Sequence, residues 1–252
     1  MLKGIPFDSP LYEIDPEKGI EYNDCKGIVA FFTIKNDIKG LLPEGLEPYS
    51  IPSQGGIWIA HYQFSTVGEY YEYLTVVQVR DPSGEIGYYI PYIYVTNDAA
   101  LAAGREVAGA PKKLANIKLY SEYDIIQGIL ERPSGKRLVT FTMKPNFRIV
   151  DGFLDAILPK PVLLYSVRHL PPINGKGGVT QLIKWSAEIS IHKDSDGEKI
   201  AFTGPASITY DSPSFVDPVH KIEIQEILTS LYIKFDMKLK VIDIIKEYNS
   251  TW

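Results

Sequence analysis

Two adjacent lysines, Lys112 and Lys113, follow Pro111 at the end of the small and apolar run Val107-Ala108-Gly109-Ala110. In solvent, a Pro-Lys-Lys segment is an ordinary charged turn. In an enclosed site the same pair can do chemistry. Two ammonium groups held side by side repel, and apolar walls penalise the charge further. One amine can then be free base near neutrality although lysine ordinarily titrates near ~10.4. A free amine is nucleophilic enough to form a Schiff base with a ketone.

The elements that must position this pair are mostly strand-like. Gly27–Ile34 is a short apolar run, and Ile57–Phe64 and Tyr71–Val79 are rich in aromatic and β-branched residues. Asp81-Pro82-Ser83-Gly84, Arg132-Pro133-Ser134-Gly135 and Asp194-Ser195-Asp196-Gly197 each supply a turn glycine between strand-like runs. Asn36-Asp37 predicts a brief helix that stops at Pro43. Asn97-Asp98 before Ala99-Ala100-Leu101-Ala102-Ala103 predicts a short helix ending at Gly104 or Gly109. Lys112 then lies just past that helix, entering the strand Ile117–Tyr120. After Asp236, the residues Met237, Val241, Ile244, Ile245 and Tyr248 recur at helical spacing and predict a C-terminal helix. Residues 1–24, rich in Pro, Gly and acidic side chains, read as an extended arm. Many strands and few helices imply a mainly β, closed or nearly closed architecture. No linker divides the 252 residues, so a single domain over 1–252 is expected.

The segments Gly104-Arg105-Glu106, Pro111-Lys112-Lys113-Leu114 and Lys118-Leu119, with Thr203-Gly204-Pro205 and Glu226-Ile227-Leu228 downstream, resemble the acetoacetate decarboxylase family over roughly residues 20–248. That enzyme is the standing example of a lysine activated by a cationic neighbour. The resemblance implies a double-meander β-barrel-like fold with few short helices, enclosing the lysine. It implies Lys112 as the Schiff-base nucleophile and Lys113 as the charge that depresses its pKa. Desolvation alone, with Lys113 solvated, would serve the same end. Glu72 falls at the spacing of a pocket glutamate that positions substrate or carries a proton. The other reading of Glu72 is the solvent side of an alternating strand. Glu69 is a weaker candidate by spacing. Arg105 and Glu106 match the family's Gly-Arg-Glu and suggest a buried pair that shapes the turn near the substrate.

Two departures from the family pattern widen the expected function. Where an arginine is expected before the first strand, the stretch is Tyr22-Asn23-Asp24-Cys25, and Lys26 is the nearest base. Lysine does not replace the planar fork of arginine. A second pocket glutamate is missing from Gly56–Ala60, where Trp58 stands near its place. The implied activity is a carbon–carbon lyase that decarboxylates acetoacetate or a related β-keto acid to a ketone and carbon dioxide. The alternatives are an aldolase-dehydratase acting on another oxo acid, or a non-catalytic binder of small anionic ligands in the same barrel. The chemistry requires neither a metal nor an organic cofactor. The family also implies a homo-oligomer.

Composition bounds the rest. A net charge of −5 lacks the basic footprint that nucleic acid requires. A lone Cys25 excludes an internal disulfide and fits a reducing compartment. No apolar run reaches the ~20 residues of a membrane span, and the N-terminus lacks a signal-like core, so a cytoplasmic protein is expected. His61, His169, His192 and His220 show no metal-ligand spacing. Asn174–Gly178 lacks the order of a phosphate loop, and Asp194–Gly197 lacks the later glutamate of a calcium loop. No Gly-x-Ser-x-Gly occurs, and Cys25 reads as a small buried side chain.

Overall fold

A computed structural model describes residues 19–174 and 176–248. Among the described residues twelve strands and two helices carry the architecture, beside four further strands of two or three residues. The strands are β1 Ile20–Ile34, β2 Gln54–Tyr62, β3 Tyr70–Arg80, β4 Ile86–Val95, β5 Lys112–Leu114, β6 Asn116–Glu122, β7 Ile125–Glu131, β8 Arg137–Met143, β9 Val162–Leu170, β10 Val179–Ile191, β11 Ala206–Tyr210 and β12 Ile224–Glu247. The helices are α1 Asp98–Glu106 and α2 Asp151–Ile157.

Seven strands form a hydrogen-bonded ring in the order β1-β2-β3-β4-β9-β10-β12, and β12 returns to pair with β1. All contacts in the ring are antiparallel except β4–β9. Closing the ring removes the exposed edges that an open sheet would leave. A second, four-stranded antiparallel sheet, β11-β8-β7-β6, packs against one face of it.

This layering explains the unbroken apolar run in β1. Ile28, Ala30, Phe32 and Ile34 join Ile117, Leu130, Val139 and Phe141 in the core between ring and second sheet. The alternate residues Val29 and Phe31 line the interior of the ring. A strand covered on both faces has no polar side to show, so it reads as continuous hydrophobicity. The turn glycines Gly84, Gly135 and Gly197 all have positive φ, at 91°, 82° and 82°, the conformation that glycine adopts without strain.

Three expectations are corrected. The C-terminal helix does not form: Ile224–Glu247 is one long strand. It pairs with β1 through Leu239 and with β10 from Phe235 to Glu247. Its register against β10 skips Ile242 and Ile245. Two such bulges break the period-two alternation and leave apolar residues three and four apart, which imitates a helix. The β-branched residues Val241, Ile242, Ile244 and Ile245 favour the strand, and pairing with β10 secures it there. The helix after Asn36 contracts to a single 3-10 turn, Lys39–Leu41. Of the proposed arm, residues 1–18 lie outside the described residues, while 20–24 already belong to β1. Among the described residues no helix is long and apolar enough to cross a membrane.

Candidate active site

Helix α1 begins where Asn97 caps it: the Asn97 side chain accepts a hydrogen bond from Ala100 N at 2.8 Å. After Glu106 the chain turns back on itself. Ala110 N donates to Gly104 O at 2.9 Å, and the loop is pinned to β9 through Ser166 Oγ on Ala108 O and Arg168 Nε on Glu106 O. β5 then runs parallel to β4, with Lys112 opposite Ile93. Lys112 packs directly over Gly104, where any Cβ would stand 2.5 Å from its Cδ and Cε.

In an extended strand neighbouring side chains point to opposite faces. Lys112 therefore turns into the ring and is 6% exposed. Its Nζ lies 3.0 Å from Glu72 Oε2, in an ion pair buried on both sides. Glu72 comes from β3, between Ala60 on β2 and Val95 on β4. Of the two readings of Glu72, the structure places it on the interior face.

Lys113 corrects the expectation of two ammonium groups side by side. It faces the other side of β5, where Nζ meets Asp217 Oδ1 at 2.9 Å and Val216 O at 2.7 Å. Asp217 is buried and also accepts from Arg132 Nε at 3.0 Å and Tyr94 OH at 3.2 Å. The proposed Arg105–Glu106 pair is likewise absent among the described residues. Both side chains are exposed and lie outside the cavity, and Arg105 Nη1 reaches the Lys112 carbonyl at 3.3 Å. Both corrections have one cause, that residues adjacent in sequence turn their side chains apart in a strand and do not face each other on a helix.

A cavity of about 100 Å3 adjoins the Lys112–Glu72 pair. Trp58 lines it, while Glu69 sits outside, 2.7 Å from His61 Nε2. The wall is otherwise mainly carbon, with Phe31, Leu74, Ile90, Leu164, Trp185 and Leu239 among the lining residues. Lys26 does not reach it, and Lys112 is the one cation among the described lining residues.

Three buried phenols, Tyr22, Tyr62 and Tyr70, gather at Glu72, and none was among the expected site residues. Tyr62 OH donates to Glu72 Oε1 at 3.0 Å and accepts from Trp58 Nε1 at 3.2 Å. Tyr70 OH lies 3.5 Å from Glu72 Oε2 and 3.3 Å from Tyr22 OH. Burial, followed by the negative charge of Glu72, holds the hydroxyls of Tyr22, Tyr62 and Tyr70 well above the usual phenol range. They therefore remain protonated; Tyr62 and Tyr70 face the Glu72 carboxylate as donors, and Tyr22 is linked to it through Tyr70. Period-two spacing from Glu72 to Tyr70, and even spacing from Trp58 to Tyr62, was the signal that could have placed them on one face. Helix α2 also escaped detection. Its N-cap, Val150, offers no side-chain cap, yet the helix brings Ile157 to the cavity. No group of three or more His, Cys, Asp or Glu that could hold a metal occurs among the described residues.

A closed β ring around a buried amine–carboxylate pair, with apolar walls, is the frame of a site able to activate a carbonyl compound. The family model for Acetoacetate decarboxylase (ADC) matches residues 8–249, and the chain belongs to that family. An acetoacetate decarboxylase of Burkholderia multivorans is 27% identical over 255 residues, covering 97% of this chain and 94% of its own. Acetoacetate decarboxylase 3 of Mesorhizobium japonicum is 28% identical over 225 residues, covering 88% and 83%. Among solved structures, acetoacetate decarboxylase from Legionella pneumophila superposes with a TM-score of 0.81 at 26% identity, over 94% of this chain and 90% of that one. The enduracididine biosynthesis enzyme MppR, complexed with the condensation product of pyruvate and imidazole 4-carboxaldehyde, shares the fold. Its TM-score is 0.75 at 15% identity, over 95% of this chain and 92% of that one.

Proposed function

We propose that the protein is a lysine Schiff-base carbon–carbon lyase that decarboxylates a β-keto acid to a ketone and carbon dioxide. The observation that carries this reading is the Lys112 amine, enclosed by apolar walls and 3.0 Å from the Glu72 carboxylate. Glu72 is placed to take a proton from Lys112 and to return one later, and Tyr62 holds the carboxylate in line. The neutral amine attacks the keto carbon, and the carbinolamine loses water to give a protonated imine. The bond between the α-carbon and the carboxylate then breaks, carbon dioxide leaves, and its electron pair moves into the iminium as an enamine. Protonation of the α-carbon and addition of water release the ketone and restore Lys112.

Carbon dioxide release from 3-oxo acids tests the reading directly. The wild-type protein should exceed the spontaneous rate, Lys112→Ala should not, and Glu72→Gln should fall by roughly 10²- to 10⁴-fold. Wild-type turnover no faster than background would contradict it. With Lys112 the one cation among the described lining residues, one other reading gains support, an aldolase-dehydratase on another oxo acid. Condensation of pyruvate with an aldehyde, without carbon dioxide release, would select that reading. Ligand binding with no turnover of either kind would select the non-catalytic binder. We further propose that the chain assembles with copies of itself, supported by the exposed Phe215 and Val216 beside Asp217; light scattering would report the mass.

A further inference from the structure

We propose that Tyr22 holds the carboxylate of the bound oxo acid through its phenol O–H, a neutral hydrogen bond rather than a second charge. The inference rests on the proposed lyase reading for the kind of ligand, and on the contacts of Tyr22 for its role.

Tyr22 lies on β1, is 2% exposed, and lines the cavity together with Tyr62, Glu72 and Lys112. Its hydroxyl accepts from Tyr70 OH at 3.3 Å. A phenol oxygen can both accept and donate, and no acceptor among the described residues takes the Tyr22 hydrogen. Tyr62, beside it, has already given its hydrogen to Glu72 Oε1. Tyr88 also lines the cavity with an unclaimed hydrogen. It stands about five residues from Ile93, the strand neighbour of Lys112, which is roughly 16 Å along β4. Tyr22 is therefore the uncommitted donor at the amine end of the wall. Tyr70 OH is closer to Tyr22 than to Glu72 Oε2, at 3.3 against 3.5 Å. A ligand that accepts from Tyr22 completes a chain from Tyr70 through Tyr22, each bond strengthening the next.

An oxo acid brings a carboxylate to a wall on which Lys112 is the one cation among the described residues. Lys112 is committed to the keto carbon, so the buried carboxylate needs a further partner. Burial, followed by the charge of Glu72, holds the Tyr22 phenol well above its usual range, so it stays neutral and donates. Tyr70 OH stands between Glu72 and Tyr22 and keeps the two carboxylates apart. Contacts of 3.0, 3.5 and 3.3 Å lead from Lys112 Nζ to Tyr22 OH. Both residues line one cavity of about 100 Å3, so one small ligand can meet both. When the carbon–carbon bond breaks, charge leaves the carboxylate, and a donor bound to it favours substrate over transition state. A neutral donor makes the weaker bond, and so holds the substrate back less than a cation would.

The test compares levulinate with 2-pentanone by calorimetry. Both are methyl ketones of the same chain length, and one ends in a carboxylate where the other ends in a methyl group. Tyr22→Phe keeps the ring and its packing against Tyr62, 4.8 Å between centroids, and removes the hydroxyl. It should weaken levulinate about 10- to 100-fold, the range for a hydrogen bond to a charged group, and leave 2-pentanone within about twofold. The second ligand also reports that the cavity is intact. With acetoacetate the loss should fall on KM, with no drop in kcat. A lower kcat at constant KM would make Tyr22 part of the proton chemistry instead and overturn the inference. Equal effects on the two ligands, no effect on either, or no binding of levulinate by the wild type would also overturn it, even if Lys112 forms imines. A loss confined to levulinate, without any imine or turnover, would leave this inference standing and remove the lyase reading.

Discussion

Gly104 lies under the aliphatic stem of Lys112, so close that a Cβ there would stand 2.5 Å from two of its methylenes. The glycine belongs to α1 and the lysine to β5, so the helix end acts as a floor that sets where the amine reaches. Elsewhere in a helix, Gly→Ala is favourable by up to about 1 kcal/mol. Here that gain meets a buried, ion-paired side chain that must move.

Gly104→Ala should therefore lower kcat/KM by about 10- to 100-fold, because a displacement near 1 Å at a reacting group has that scale of effect. Thermal stability should change little. Full activity in Gly104→Ala would show that the floor is not needed.

Lys113 and Lys112 should separate cleanly on substitution. With Lys113 committed to Asp217 on the far side of β5, Lys113→Met should keep kcat/KM within about tenfold of wild type, on the order of 1.4 kcal/mol. Lys112→Met should abolish turnover. Equal loss in the two variants would mean that Lys113 acts on the reacting amine after all.

Tyr62→Phe removes a hydrogen bond to Glu72 and the acceptor of Trp58. Leaving buried polar groups without partners should cost about 1–3 kcal/mol in chemical denaturation. The rate should fall more in kcat than in KM, since the group held is the proton carrier. A change confined to KM would make Tyr62 a binding residue instead.

Acid should unfold the protein partly through Asp81. Burial raises this carboxyl, but hydrogen bonds from Ser83, Lys184, Tyr165 and the Glu85 N–H outweigh it and hold it at about 2, below 3.8. A carboxyl depressed in the folded state contributes stability above its unfolded value and loses it as pH falls from about 4 toward 2. The stake is roughly 2 kcal/mol. Denaturation at pH 6 and pH 2.5 should show a smaller difference for Asp81→Asn than for wild type. An unchanged difference would assign the acid sensitivity to other groups.

The strands and turns were legible because β-branched runs and turn glycines act locally. Asn97 announced α1 for the same reason, through one short hydrogen bond. β12 was not legible, since its two bulges appear only in pairing with β10, far away in sequence. The site was half legible. Lys112 stood out by its setting, and Glu72 by family spacing. The face of Glu72 cannot be read from β3, which is buried on both sides, and the direction of Lys113 follows only once β5 is known to be a strand. The phenols around Glu72 come from three neighbouring strands, β1, β2 and β3, and only the register of their pairing brings them together.

Borohydride trapping tests the central claim most directly. The protein is incubated with acetoacetate or 3-oxohexanoate, reduced, and mapped by peptide mass. The account predicts a stable adduct on Lys112, absent in Lys112→Ala, with Lys113 unmodified. Turnover without any trapped adduct, or an adduct on Lys113, would contradict it.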